Sequence, residues 1–188
     1  MGFFDSLPAP PPSEPEPPVP PPPAWARPDT VIGGSVAADL LIARSAEAAL
    51  ALTGLVGYPN GFAFTIAAVL RERDRLGRMA QHVYPDGFAE PLPPEFLRVG
   101  VRFADGRAVT NLAGYPRDGA TPGRPVLLPD RGGGGGRRYD MGFWVWPLPP
   151  AGPLTFYVAW PHHHIDETGA DVDAGLLHEA AGRAIGLG

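Results

Sequence analysis

The stretch "WPHHHID", residues 160–166, gathers more metal-capable side chains than any other part of the chain. On an extended strand alternate residues share a face, so His162 and His164 would project together and Asp166 would follow on the same side. Two imidazoles and a carboxylate at that spacing can hold zinc or another divalent cation. The competing reading is a polar, exposed turn at a strand end, because a built metal site usually draws on a further positioned ligand. His82 and His178 are too distant in sequence to be assigned to it.

A second candidate is "RGGGGGRR", residues 131–138. Glycine amides can form an anion-binding nest, here beside Arg131, Arg137 and Arg138. A phosphate loop of the Walker type needs a Lys after its last glycine, and a dinucleotide fingerprint needs a helix there. Here Arg137-Arg138-Tyr139 and a strand pattern follow instead. Five glycines together are also costly to order, so a slack loop between two strands is the preferred reading.

Other chemistries find less support. Ser35 in "GGSVA" lacks the final glycine and the preceding strand of a nucleophile elbow. Lys does not occur, which removes Schiff-base and P-loop lysine chemistry. Cys does not occur either, so disulfides and thiolate ligands are excluded. Asp86, Glu90, Asp105, Asp118 and Asp140 fall in or beside turns, where Asp serves local backbone hydrogen bonding. Trp144, Trp146, Tyr157 and Trp160 offer a third kind of site, an aromatic surface for a sugar ring or a proline-rich peptide. The alternative, that they are core beneath a helix, is preferred.

These residues need elements to position them. Pro8 to Pro28 holds twelve prolines in twenty-one positions, which predicts an extended, solvated polyproline arm over residues 1–30. Residues 31–188 are expected to form a single domain. "VAADLLIAR", "AALALTGLV" and "FAFTIAAVLRER" read as antiparallel strands, with a tight turn at Pro59-Asn60-Gly61. Leu97, Val99, Val101 and Phe103 alternate with Arg98, Gly100 and Arg102 up to an Asp105-Gly106 hairpin turn. Met141, Phe143 and Val145 share one face of a further strand; Leu154, Phe156, Val158 and Trp160 share a face of the next. From Asp173 to Gly186 the apolar spacing turns helical, with Asp173 as N-cap and Glu179–Arg183 as an i,i+4 pair. The fold class expected is mainly β (α+β): an antiparallel β-sandwich-like or strongly curved sheet of about 7–8 strands, with one C-terminal amphipathic helix packed on it.

"GGSVAADLLIARS", "YPNGFAF" and "GGGGGRRYDMGFWVWPLPPAGPLTFYVAWP" together resemble an uncharacterised protein family of high-GC bacteria, over roughly Trp25 to the C-terminus. That resemblance carries no assigned activity, so it implies no catalytic residues. The abundance of Arg, Ala, Gly and Pro fits such an origin and lowers the functional weight of each Arg. A net charge of −5 argues against nucleic-acid binding. Neither a signal peptide nor a membrane-spanning run is apparent, so the expected setting is cytoplasmic with no membrane partner. The functional expectation is a non-enzymatic protein-interaction module with a Pro-rich arm, without cofactor, whose partner is another protein. Its rival is a metal-dependent enzyme or anion binder using the histidine run or the glycine-rich loop.

Overall fold

The structure is a computed structural model and describes residues 21–74, 91–113, 116 and 122–187. The chain is mostly β, with one α-helix among the described residues. The strands are β1 (Val31–Ile32), β2 (Gly34–Ser35), β3 (Leu40–Arg44), β4 (Ala48–Tyr58), β5 (Gly61–Asp74), β6 (Arg98–Arg102), β7 (Ala108–Thr110), β8 (Val126–Trp146), β9 (Pro153–Trp160), β10 (Ile165–Asp173) and β11 (Ile185–Gly186). Helix α1 covers Gly175–Gly182.

All pairings are antiparallel. One sheet runs β2-β4-β5-β8, with β3 beside β2 along the same edge of β4. The second runs β10-β9-β6-β7, and β1 and β11 form a small separate ribbon. The sheets face each other across one apolar layer. Leu50, Leu52, Phe62, Phe64, Ile66, Met141 and Phe143 come from the first; Leu97, Val99, Val101, Leu154, Phe156 and Val158 come from the second. The strand patterns dictate this, because each contributes every second side chain. The Phe156 ring reaches across to stand edge-on to Phe64 at 5.0 Å and Phe62 at 6.3 Å between centroids. Such contacts add about 0.5–1.5 kcal/mol each beyond simple burial. The expected sandwich-like arrangement with a packed C-terminal helix is the observed one.

β8 is longer than any straight strand could be in this fold. A methyl group on Gly142 would lie 2.1 Å from the carbonyl oxygen of Arg131. Eleven residues of straight strand would separate those two by about 36 Å, so the element doubles back on itself. Gly134 and Gly136, at φ 155° and 70°, occupy the bend, where only glycine is comfortable.

Helix α1 is shorter than the sequence pattern suggests. It stops at Gly182, and Ile185-Gly186 pairs with β1 instead of continuing the helix. Asp173 lies one residue before the N-cap Ala174, where its Oδ1 accepts from the Gly175 amide at 2.8 Å. Arg183 donates to the Ser35 carbonyl at 3.0 Å instead of pairing with Glu179. The helix sits where Gly34 and Gly57 are paired on β2 and β4. A methyl on Gly34 would fall 1.9 Å from the Ala180 carbonyl, and one on Gly57 would fall 2.5 Å from that of Leu177. The two bare positions let the helix approach the backbone and bury Leu177 and Ala180 fully.

Candidate functional site: an aromatic cleft occupied by the chain's own arm

The outer face of the first sheet is built from the positions that alternate with the core. Val56, Ala63 and Trp144 are cross-strand neighbours on β4, β5 and β8. Tyr58, Val126, Leu128 and Trp146 gather round them into a second apolar cluster, separate from the main core. A large indole standing beside the small Ala63 leaves a step, and Ala24–Arg27 lie against it. Trp25 and Val31 pack against this cluster.

The contacts that hold this segment are mostly to its backbone. Asn60 Nδ2 donates to the carbonyl oxygens of Ala24 and Ala26, each at 2.9 Å. The Trp144 indole donates to the Trp25 carbonyl at 2.9 Å. Ala26 N–H closes a turn onto the Pro23 carbonyl at 2.8 Å. Arg27 provides the side-chain anchor: it pairs with Asp130, donates to the Tyr58 hydroxyl and lies 4.9 Å above the Tyr58 ring. Tyr58 in turn meets Trp144 edge-on at 5.5 Å. The carbonyls so held belong to Ala24, Trp25 and Ala26, in a turn between Pro23 and Pro28, and the cleft answers them with N–H donors and aromatic faces.

The sequence placed the arm boundary at residue 30, whereas residues 21–30 are seated on the domain; residues 1–20 lie outside the described residues. Trp144 is buried as expected, but beneath the arm and the first half of β8, which carries Val126 and Leu128, not beneath the helix. Helix α1 lies on the core side, against β4 and β2. The four aromatics named from sequence do not form one surface. Trp160 is in the core between the sheets, while Tyr157 faces out from the second sheet with Arg102 4.9 Å above its ring. Trp146 is half-buried at the margin of the cleft. Alternation explains the split, since Tyr157 and Trp160 have opposite parity on β9 and belong to a different sheet from Trp144.

The histidine run is not a strand. Pro161–His163 forms a 3₁₀ turn and His164 is left-handed at φ 54°. His162 and His164 therefore share no strand face with Asp166, which is exposed at the start of β10. Proline at the first turn position breaks the strand. The histidines instead meet Glu47 of the β3–β4 turn. His163 Nδ1 is 3.3 Å from Glu47 Oε2, and His164 Nε2 is 3.6 Å from Oε1. The His163 ring rests edge-on to Trp160, 4.1 Å between centroids. Burial lowers the His163 pKa; the Glu47 hydrogen bond opposes this, and His162 and His164 add to the lowering. Among the described residues no group of three His, Asp or Glu side chains is arranged to hold a metal ion.

The glycine run lies exposed at the bend of β8, with strand conformation on both sides. Arg138 is paired with Asp140 at 3.1 Å; Arg131 and Arg137 are exposed beside the bend. Ser45 Oγ caps its own turn, accepting from the Glu47 and Ala48 amides at 3.1 Å. Asp105 likewise serves its hairpin, and the Arg107 backbone N–H holds its carboxyl below the usual value. His178 Nε2 contacts the Pro149 carbonyl at 2.7 Å, a structural role. His82, Asp86, Glu90 and Asp118 lie outside the described residues.

The chain matches no protein-family model, no curated protein and no solved structure. No helix among the described residues is long and apolar enough to cross a membrane.

Proposed function

We propose that this protein is a non-enzymatic interaction module whose outer-face cleft takes a turn-forming, proline-flanked segment of a partner protein. The observation that carries the reading is the seating of Ala24–Arg27, held through three carbonyls and one arginine. N–H donors aimed at the turn's carbonyls and an aromatic floor suit a segment whose flanking prolines have no N–H to offer in return. The chain's own arm then acts as the resident occupant, and a partner segment of like chemistry competes for its place. A cytoplasmic setting and the absence of a cofactor belong to the same proposal.

The test uses the full chain carrying Trp25→Ala and Arg27→Ala, which loosens the resident arm and leaves the cleft walls intact. A synthetic peptide spanning residues 17–30 is titrated against it, with the Trp144 indole N–H resonance as reporter. Saturable binding to the variant, much weaker binding to the unaltered chain and no binding of a Trp25→Ala peptide are expected. A folded variant that ignores the peptide would overturn the reading.

A further inference from the structure

At the other end of the same sheet face the β3 side is open to solvent, and its chemistry differs. Registers across the sheet place Arg44, Ala49, Val69 and Arg138 in one cross-strand row over β3, β4, β5 and β8. The next row is Leu41, Ala51, Ala67 and Asp140. The half-buried Ala49 and Ala51, beside a buried Ala67, make a shallow trough between longer side chains. An open depression of about 240 Å³ lies at its β3 side, lined by Leu41, Arg44, Ala49, Val69 and Arg71, with Glu47 at the rim.

Two features set this trough apart from an ordinary solvated sheet face. Leu41 and Val69 are 54% and 47% exposed, so apolar surface stands open beside the cations. Among the described residues neither Arg44 nor Arg71 has an ion-pair partner. Glu47, the one carboxylate at the rim, is already engaged by His163 and His164. The chain as a whole carries a charge of −5, so an anion drawn here answers to this local arrangement and not to the overall field.

We propose that this trough binds small anionic amphiphiles: molecules with a carboxylate or phosphate head and a short apolar chain. The forked guanidinium donors of Arg44 and Arg71 match such a head. Leu41 and Val69 cover the tail, gaining from its removal from water. The depression falls below the range of about 300–1,000 Å³ for pockets that enclose drug-sized ligands, so the ligand is short or only partly held. This site is independent of the arm cleft, and neither reading depends on the other.

The test titrates the full-length protein with octanoate, octyl phosphate, octanol and inorganic phosphate, followed by backbone amide resonances. Saturable shifts of Leu41, Ala49 and Val69 are expected with the two amphiphiles. Octanol and inorganic phosphate should bind about tenfold more weakly, and Arg44→Gln with Arg71→Gln should lose about tenfold. Val69→Ser, at an exposed position, should weaken the amphiphiles while leaving inorganic phosphate unaffected. Vesicles of phosphatidylglycerol distinguish a lipid head group from a free amphiphile as the source. Co-sedimentation lost in the arginine variant supports the lipid; its absence alongside amphiphile binding supports the free molecule. The proposal is overturned if neither amphiphile shifts these residues, if octanol binds as well as octanoate, or if the folded arginine variant binds unchanged.

Discussion

Asn60→Asp probes the arm cleft with the least change of shape. Asp keeps the short turn-forming side chain wanted between β4 and β5. It removes the two donors now reaching the Ala24 and Ala26 carbonyls at 2.9 Å and sets a carboxylate against both oxygens. A net hydrogen bond is worth about 1 kcal/mol, so two amount to about 2 kcal/mol. The freed carbonyls can turn to water, which keeps the loss near that figure. Two kcal/mol shifts the balance between seated and released arm about thirtyfold. The assay is the Trp144 indole N–H resonance, now bonded to the Trp25 carbonyl, with amide exchange over residues 21–30. Release should move the resonance upfield and speed exchange in the arm alone. A lowered melting temperature with neither change would mean that Asn60 acts through its turn, and the account of the arm would fail.

Three further outcomes follow from the same geometry. His163 prefers its neutral form in the folded chain because burial lowers its pKa. Stability is therefore complete above the unfolded value of 6.5 and declines as pH falls through it toward the folded value. His163→Gln should narrow the gap in urea midpoint between about pH 7.5 and about pH 5.5; an unchanged gap would contradict the burial. At the β8 bend, Gly133→Ala should be neutral or raise the melting temperature, since nothing lies within 4 Å of the new methyl and its φ is not positive. Gly134→Ala should lower it, because the methyl would meet the Arg138 carbonyl at 2.3 Å; equal effects would refute the doubling back. Phe156→Ala removes the fully buried ring that bridges the sheets and should cost about 3–5 kcal/mol, read by chemical denaturation.

What the sequence made legible was whatever repeats every two residues. Leu97, Val99, Val101 and Phe103 are all buried, as alternation requires, and so are Leu154, Phe156, Val158 and Trp160. The helix was visible in outline but overextended, because Ala184 and Ile185 continue its spacing while the backbone of Ile185 is taken by β1. Strand pairing between termini leaves no local signature. The aromatic surface failed for the same reason, since periodicity gives the face of a strand and not the sheet to which it belongs. Most of the cleft was missed as a unit. Asn60 carries only a turn signal and Arg27 none of its own, although a lone Trp25 inside a proline run is a usable one.

The two ends of the first sheet's outer face show why only one of them is covered. At the β4–β5 turn end, Trp144 and Tyr58 stand well above their neighbours, and leaving them in water would cost more than ordering a short Pro-rich segment over them. Pro23 and Pro28 on either side of the Ala24–Arg27 turn limit the freedom it loses on ordering. At the other end the central positions are alanines, whose small apolar area gains little from a lid. The arginines there would lose hydration beneath one, unless it brought a charge of its own. A proline-flanked arm whose Arg27 meets Asp130 therefore suits the first end and an anion the second. If that partition is right, Ala51→Trp in the open trough should create a new apolar step without drawing the arm away from Trp144, since the donors there, Arg44 and Arg71, carry the same charge as the arm's Arg27. An Ala51→Trp chain in which the arm leaves its cleft, with the Trp144 indole resonance shifted as in Asn60→Asp, would show that hydrophobic area and not the set of carbonyl contacts decides where the arm lies.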